Sequence, residues 1–247
     1  AEKRLPPNAM VARTKAQKHK RILNKVEEKY GVPKEMILAL WGLESNFGTN
    51  TGQCITVHTL AQRAFTSERR QFFTRELIEA LKILQDQNMD PQHLKGSWDG
   101  ALGQCQFMPS TFRRHAVDFT GKGNKDIWNS AEDVFASIAN YLAHSGWKKD
   151  EPWGIEVSVP SRLRNNPNLV TLAIQRAKQY WIAHGVKPAK TNSLMSDLPG
   201  SLIIDNKGKA FLVYNNFRVV LKWNRSIRFA LAVCQFSDQI RTHNDNT

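Results

Sequence analysis

The chain has 247 residues, of which 41% are hydrophobic and 23% are charged, a composition typical of a folded globular protein rather than a disordered or fibrous one. The formal net charge of +13 at pH 7 indicates either an acidic partner or a deliberately basic surface. No apolar run approaches the roughly 20 residues that cross a bilayer. Three cysteines do not form a disulfide framework, and seven scattered histidines argue against a zinc amidase or peptidase.

The N-terminal region predicts a basic helix followed by an apolar one. Residues 11–30 combine many Lys and Arg with sparse apolar positions, which favours a solvated helix, and Gly31 ends it. Because the chain starts at Ala1 without an initiator Met or a signal-type segment, we expect a mature or trimmed form.

Residues 36–48, with the sequence MILALWGLESNFG, form the central element of the prediction. As a helix they place Ile37, Trp41 and Glu44 on one stripe, beside a second apolar stripe. A carboxylate among apolar side chains at a helix C-terminus loses hydration and gains nothing from the helix dipole. The pattern therefore predicts a raised Glu44 pKa, which suits a general acid. The alternative is that Glu44 leans into solvent at a frayed helix end.

A polar loop at 49–53 follows, and then two helices are predicted, a short one over 57–64 and a longer one capped by Ser67. Gly100 and Gly103 mark a glycine-rich turn in which the backbone can approach a ligand closely, although an ordinary tight turn has the same pattern. Residues 130–133 resemble a capping box at the start of a helix that ends by Gly146.

Pro152, Pro160, Pro167 and Pro188 divide residues 150–199 into short segments, with 171–184 as the one good helix. Residues 201–205 and 210–214 flank a turn and predict a β-hairpin, which we expect 219–221 to extend. The last helix is predicted over 227–240, and the simplest role for Asn224 is to cap it.

Several motifs, in the same order along the chain, are similar to those of the lytic murein transglycosylase B family of peptidoglycan-cleaving enzymes. The resemblance extends from about residue 29 to the C-terminal helix. It is carried by ESNFG at 44–48, GALGQCQFMPS at 100–110, AVDF at 116–119, ANYL at 139–142 with Gly146 and Trp147, YNNF at 214–217 and WNRS at 223–226.

The helical periodicity and the one hairpin predict a mainly α, α+β fold, and the resemblance implies that its centre is lysozyme-like. We expect a helical lobe over 1–34 and 55–95 and a catalytic core over 35–54, 96–150 and 211–247. An inserted peripheral lobe over 151–210 bears the hairpin.

The resemblance implies one catalytic residue, Glu44, and a groove that binds the sugar chain. In the family the usual tyrosines stand where this chain has Trp223 and Phe229, so stacking is kept while the phenolic hydrogen bonds are lost. The expected substrate-binding residues are Ser97, Gln106, Phe107, Met108, Tyr141, Trp223, Asn224 and Phe229.

The implied reaction cleaves the β-1,4 bond between N-acetylmuramic acid (MurNAc) and N-acetylglucosamine (GlcNAc) without water. Glu44 acts first as acid and then as base, and the product ends in 1,6-anhydroMurNAc. The other acids near the motifs have structural explanations in turns, loops and caps. Two alternatives stay open: a muramidase in which water attacks, and a non-catalytic basic module that binds glycan or nucleic acid.

Residues 118–124 resemble the calcium loop of some family members, but Lys122 stands where a carboxylate is expected. We therefore expect no metal and no cofactor. The implied partner is the peptidoglycan glycan strand, together with envelope or cell-wall-synthesis proteins, and no nucleic acid is expected. The implied location is the periplasm, with any membrane attachment through an anchor outside this chain.

Overall fold

A computed structural model describes residues 9–190 and 193–241. The chain divides into two compact units. The first unit runs to His144 and resumes at Gln235, and the second comprises residues 145–234.

The first unit is built from helices. Two very short strands, β1 (Cys54–Ile55) and β2 (Lys95–Gly96), pair antiparallel beside a 3-10 turn at Pro91–His93. The helices are α1 (Ala9–Lys18), α2 (Lys20–Tyr30), α3 (Lys34–Ser45), α4 (Thr56–Thr66), α5 (Arg70–Asp86), α6 (Pro109–His115) and α7 (Ala131–His144).

Helix α3 is the central element of the first unit, packed against α1, α2 and α7. Every residue from Glu35 to Gly42 is buried, because no charge interrupts the sequence between Met36 and Leu43. The Trp41 ring lies edge-on to Phe135 of α7, with ring centroids 5.0 Å apart. Both stripes predicted for this helix therefore have buried apolar side chains.

The start of α7 confirms one half of the predicted capping box. Ser130 Oγ accepts the backbone N–H of Asp133 at 3.2 Å. The buried Asp133 carboxylate does not complete the box, because it accepts the backbone N–H groups of Phe119 and Asp126, each at 2.9 Å. Asp133 thus fixes the 118–126 loop to α7.

The second unit contains a four-stranded antiparallel sheet in the order β4-β3-β6-β5. Its strands are β3 (Gly154–Ser158), β4 (Lys187–Pro188), β5 (Ser201–Ile204) and β6 (Ala210–Val213), and its short helices are α8 (Ser161–Arg164) and α9 (Lys178–Ala183). The β5–β6 pair confirms the predicted hairpin, and the Asp205 carboxylate stabilises its turn by accepting the N–H groups of Lys207 and Lys209. Trp181, Leu202, Leu212 and Tyr214 lie in the core.

Two longer helices follow, α10 (Asn215–Trp223) and α11 (Ile227–Arg241), and α11 belongs to the first unit from Gln235 onward. The prediction that 219–221 extend the sheet is wrong, because they lie in α10, where Phe217, Val219 and Val220 form a buried helical face. Asn216 fixes the start of this helix by donating to the backbone carbonyl groups of Lys148 and Glu151.

The helix predicted over 171–184 is also wrong in extent, because only Lys178–Ala183 is helical. Upstream, Arg176 exchanges backbone hydrogen bonds with Gly200 at 3.0 and 2.9 Å, and Val170 bridges to Leu202. This segment therefore makes backbone pairs with the region of β5 rather than internal helical bonds.

The predicted mainly α, α+β fold class is confirmed. The three-part domain division stays a prediction. All three cysteines are free, with Cys54 exposed and Cys105 and Cys234 buried, so Cys54 and Cys105 are not bridged. In the described parts of the chain, no helix is both long and apolar enough to cross a membrane.

Candidate active site

Glu44 lies half-buried in the last turn of α3, followed by a sharp change of chain direction. Three successive residues, Asn46, Phe47 and Gly48, have left-handed φ angles of 49°, 57° and 84°. Such a backbone is uncommon for an aromatic residue and is typical of functional sites, where packing holds it in place. Here the Phe47 ring packs edge-on to Trp41, with centroids 5.3 Å apart.

Hydrogen bonds close the turn at residues 45–50 that follows Glu44. The Asn46 N–H donates to the Gly42 carbonyl at 2.9 Å, and the Asn50 N–H donates to the Ser45 carbonyl at 2.8 Å. Ser45 Oγ donates to the Trp41 carbonyl and accepts the Gly48 N–H, each at 3.1 Å. The carboxylate therefore extends from a helix end that its own neighbours hold rigidly, which does not fit the alternative of a frayed end.

The glycine-rich turn forms the second part of the candidate site. Leu102 and Phe107 exchange backbone hydrogen bonds at 2.7 and 3.2 Å, which closes the turn. Gly103 has a φ of 56°, and a Cβ there would lie 2.6 Å from the Ile127 carbonyl oxygen, so the close approach requires glycine. The predicted turn at Gly100 and Gly103 is confirmed, with Gly100 at a φ of 87°.

Cys105 connects the turn to Glu44 electrostatically. Burial raises the pKa of the Cys105 thiol well above its ordinary value, and the negative charge of Glu44 raises it further. The thiol is fully buried and lies 3.7 Å from the Val134 carbonyl oxygen, to which it donates. The structure thus places the Glu44 carboxylate within electrostatic range of the turn that bears the predicted glycan contacts.

Two of these predicted contacts have polar capacity left for a ligand. Gln106, at a φ of 51°, donates its Nε2 to the carbonyls of Thr51 and Gly103. Its Oε1 makes no hydrogen bond within the described residues. Ser97 Oγ accepts the N–H groups of Asp99 and Ala101, at 3.3 and 3.0 Å, which leaves its proton to donate elsewhere.

The predicted apolar contacts lie at the same turn. Phe107 is buried, and its ring lies 5.9 Å from that of Tyr141, which α7 holds half-buried. Met108 occupies the N-cap position of α6 and is half-buried. His115 packs edge-on to Tyr141, with centroids 4.9 Å apart. Glu44, Ser97, Gln106, Phe107, Met108 and Tyr141 all belong to the first unit.

The other three predicted contacts belong to the second unit, and their part in the site stays a prediction. Trp223 is the half-buried last residue of α10. The exposed Asn224 accepts the Ser226 N–H at 3.1 Å through Oδ1, while Ser226 Oγ accepts the N–H of the half-buried Phe229 at 3.2 Å. The prediction that Asn224 caps the last helix is therefore wrong, because Ser226 caps α11 and Asn224 bonds only to the backbone ahead of that helix.

In the 118–124 loop the Asp118 carboxylate is bonded to backbone amides, and the absence of calcium from this loop stays a prediction. Asp118 Oδ1 accepts the N–H groups of Gly121 and Lys122, and Oδ2 accepts that of Gly123 at 2.7 Å. Although desolvation acts to raise the pKa of the Asp118 carboxyl, these bonds outweigh it and hold the pKa below its ordinary value. Lys122 adds a cation, and no group of three His, Cys, Asp or Glu suited to a metal occurs in the described ranges.

Gln104 has contacts that sequence reasoning missed, although it lies inside a quoted motif. It joins residues that are far apart in sequence, for its Oε1 accepts the Trp41 indole N–H at 2.7 Å. No local pattern distinguishes such a residue from an ordinary polar turn position, so only the structure identifies it.

Comparison with known proteins identifies the family to which this chain is similar. A family model described as the transglycosylase SLT domain matches residues 4–238. The chain is 30% identical over 227 residues to membrane-bound lytic murein transglycosylase B of Escherichia coli K12, covering 88% of this chain and 60% of that protein.

Solved structures extend the similarity to the fold. SltB3 from Pseudomonas aeruginosa, in complex with NAG-anhNAM-pentapeptide, superposes with a TM-score of 0.89 at 38% identity, covering 95% of this chain and 63% of that one. The Escherichia coli lytic transglycosylase Slt35 in complex with calcium gives a TM-score of 0.84 at 29% identity, covering 96% of this chain and 75% of that one. The lysozyme-like fold is thereby confirmed. The chain spans less than two thirds of the length of the first two relatives.

Proposed function

Because the chain belongs to the transglycosylase SLT domain family, we propose that it is a peptidoglycan lytic transglycosylase. It cleaves the MurNAc-GlcNAc β-1,4 bond and leaves 1,6-anhydroMurNAc ends. The observation that carries the proposal is the hydrogen bond of 2.7 Å from the Trp41 indole N–H to Gln104 Oε1, because it joins the helix whose last turn carries Glu44 to the glycine-rich turn that bears Gln106. The SltB3 complex, which contains an anhydro-muramyl peptide, supports the same chemistry.

One carboxyl group suffices for this reaction. Protonated Glu44 donates its proton to the leaving glycosidic oxygen, and the bond from C1 to that oxygen breaks. The muramyl acetamide oxygen shields the positive charge that develops at C1. Ionised Glu44 then removes the proton from the C6 hydroxyl, whose oxygen bonds to C1. Glu44 ends as it began, and no water is consumed.

The groove residues serve to bind and orient the sugar chain. The half-buried Tyr141 offers aromatic surface for sugar faces, and the buried Phe107 ring lies 5.9 Å from it, while Gln106 Oε1 and the Ser97 hydroxyl offer hydrogen bonds to sugar edges. For Trp223, Asn224 and Phe229, which belong to the second unit, sugar binding stays a prediction from the family resemblance. The proposed setting is the periplasm, where peptidoglycan lies.

Glu44→Gln tests the assignment. General acid–base catalysis is typically worth about 10² to 10⁴ in rate, so the variant should release muropeptides from sacculi at least 100-fold more slowly. It should still bind glycan. The matched control is Glu68→Gln, which alters an exposed acid of the same unit and should leave turnover unchanged.

Mass spectrometry of the digest separates the alternatives. Anhydro products are one water lighter than the products of hydrolysis, so reducing ends as the sole new termini would replace the proposal with a muramidase. Full activity in Glu44→Gln would remove Glu44 from the mechanism. Salt-sensitive DNA binding without muropeptide release would favour the basic binding module instead.

A further inference from the structure

The Gln104 side chain joins three segments of the first unit. Its Oε1 accepts the Trp41 indole N–H at 2.7 Å, and its Nε2 donates to the Trp128 carbonyl oxygen at 2.6 Å. Its backbone N–H donates to the Ile127 carbonyl oxygen at 2.8 Å. Both ends of the carboxamide are thus engaged by partners that are distant in sequence.

These segments carry the proposed site residues of the first unit. Trp41 lies three residues before Glu44 on α3, so the two side chains are neighbours on one helical face. Gln104 itself stands two residues before Gln106 in the glycine-rich turn. Trp128 leads into α7, which carries Tyr141. A change at Gln104 therefore reaches the acid, the turn and the helix of Tyr141 together.

The surroundings leave the carboxamide little freedom. A Cβ on Gly48 would lie 2.7 Å from Gln104 Cδ, so the amide occupies the space that a side chain at position 48 would need. The Trp41 ring is in turn held edge-on between Phe47 and Phe135, at 5.3 and 5.0 Å. Gln104 thus bonds to an indole that is itself fixed.

We propose that Gln104 is a positioning residue for Glu44. This inference rests on the proposed function. Both ends of its carboxamide are bonded to protein partners, and it thereby fixes α3 against the glycine-rich turn, so that Glu44 and the glycan contacts keep one geometry. A displacement of about 1 Å in a catalytic group can cost roughly 100-fold in rate, which makes such a fixed contact valuable.

The two partners of Gln104 require an amide side chain at position 104. Trp41 needs an acceptor, whereas the Trp128 carbonyl needs a donor, and a glutamine side chain supplies both. Leucine supplies neither and leaves the buried indole N–H without its acceptor. Glutamate keeps the bond to Trp41 but turns a carboxylate oxygen toward a carbonyl oxygen. Asparagine keeps the amide but is one methylene too short to reach both partners.

Gln104→Leu and Gln104→Asn test the proposal on purified glycan strands, with rates expressed per folded enzyme. We expect kcat to fall about 10- to 100-fold in the leucine variant while KM changes less than about threefold. The matched control is Gln85→Leu, which alters an exposed glutamine on α5 and should keep the wild-type kcat. If the leucine variant does not fold, the asparagine variant decides, with the same direction and a smaller loss.

An NMR signal tests the contact independently of activity. The Trp41 indole N–H resonance is identified by its loss in Trp41→Phe, and in Gln104→Leu it should shift and exchange faster with solvent. Because both variants break the same bond, the double variant should lose little more kcat than the worse single variant.

The outcomes separate the two proposals. A displaced indole resonance with wild-type kcat would overturn the positioning role while leaving the proposed function intact. A raised KM at unchanged kcat would also overturn it, since that pattern belongs to substrate binding. A wild-type enzyme that releases no anhydro-muropeptides would instead overturn the proposed function, whatever the indole signal shows.

Discussion

Replacing Gly48 with alanine tests the packing between α3 and the glycine-rich turn. Gly48 has a φ of 84°, and a Cβ there would lie 2.7 Å from Gln104 Cδ. The backbone must therefore hold an unfavourable conformation, and the Gln104 amide must move. Because that amide is bonded to Trp41 and Trp128, it moves only at the expense of those two bonds.

The expected destabilisation is the sum of these effects. The left-handed backbone costs alanine about 1 to 2 kcal/mol, and each lost hydrogen bond costs roughly 0.5 to 1.5 kcal/mol. Gly48→Ala should therefore lower the free energy of unfolding by about 2 to 5 kcal/mol. Gly123→Ala is the matched control, because Gly123 has a φ of 89° and a Cβ there would have no described atom within 4 Å. Gly123→Ala should lower the free energy of unfolding only by the cost of the left-handed backbone, about 1 to 2 kcal/mol.

Urea unfolding followed by far-ultraviolet circular dichroism measures both variants. The difference between them isolates the steric effect on Gln104 from the common backbone strain. Gly48→Ala should also lower kcat, since it displaces the same carboxamide that Gln104→Leu removes. Equal destabilisation of the two alanine variants would refute the reasoning, because it would mean that the amide moves without cost.

Two further predictions concern the 118–126 loop. Asp133→Asn should lower the free energy of unfolding by about 1 to 3 kcal/mol in the same urea assay. The buried carboxylate accepts two backbone N–H groups, and the amide nitrogen of asparagine cannot accept the one that falls to it. An unchanged free energy of unfolding would mean that other contacts hold the loop. Millimolar calcium should leave Tm unchanged, since Asp118 is already bonded to backbone amides, whereas a rise of several degrees in calorimetry would show binding.

Helix α3 and the hairpin could be predicted from the sequence because their signals are local. Apolar residues recur at helical spacing from Met36 to Phe47, which favours a helix, and a polar turn between two apolar runs specifies a hairpin. The conformation of Gly103 was also predictable, since a glycine in a tight turn indicates a positive φ. In each case, the residues that determine the structure lie within a few positions of one another.

The errors arose where distant pairing overrides local preference. Residues 171–176 have a helical pattern, but Arg176 pairs with Gly200, a partner that no local pattern reveals. Residues 219–221 have β-branched and apolar side chains, yet Val219 and Val220 join Phe217 on a buried helical face. Gln104 was missed for the same reason, because its significance depends on Trp41, 63 positions away.

The pH dependence of stability gives a final prediction, centred on His115. Burial lowers the pKa of His115 below its ordinary value of 6.5, and the positive charges of Arg114 and His144 lower it further. Its Nδ1 is buried and has no hydrogen-bond partner within the described residues. The folded chain therefore binds this proton less readily than the unfolded chain does. The free energy of unfolding should fall as the pH drops below about 6.5, until the pH passes the lowered pKa of the folded state.

His115→Phe should make this pH dependence shallower. The aromatic ring keeps its edge-on packing against Tyr141, and the bond from Asn140 to the backbone carbonyl of residue 115 is retained, so the variant removes the titration with little other change. His19 contributes in the same direction, because burial lowers its pKa too, and some slope should remain. Urea unfolding between pH 5 and 8 measures the effect, with the exposed His58→Phe as control. If stability changed with pH equally steeply in His115→Phe and in the wild type, His115 would bind protons equally in the folded and unfolded chains. Burial would then not lower the pKa of His115.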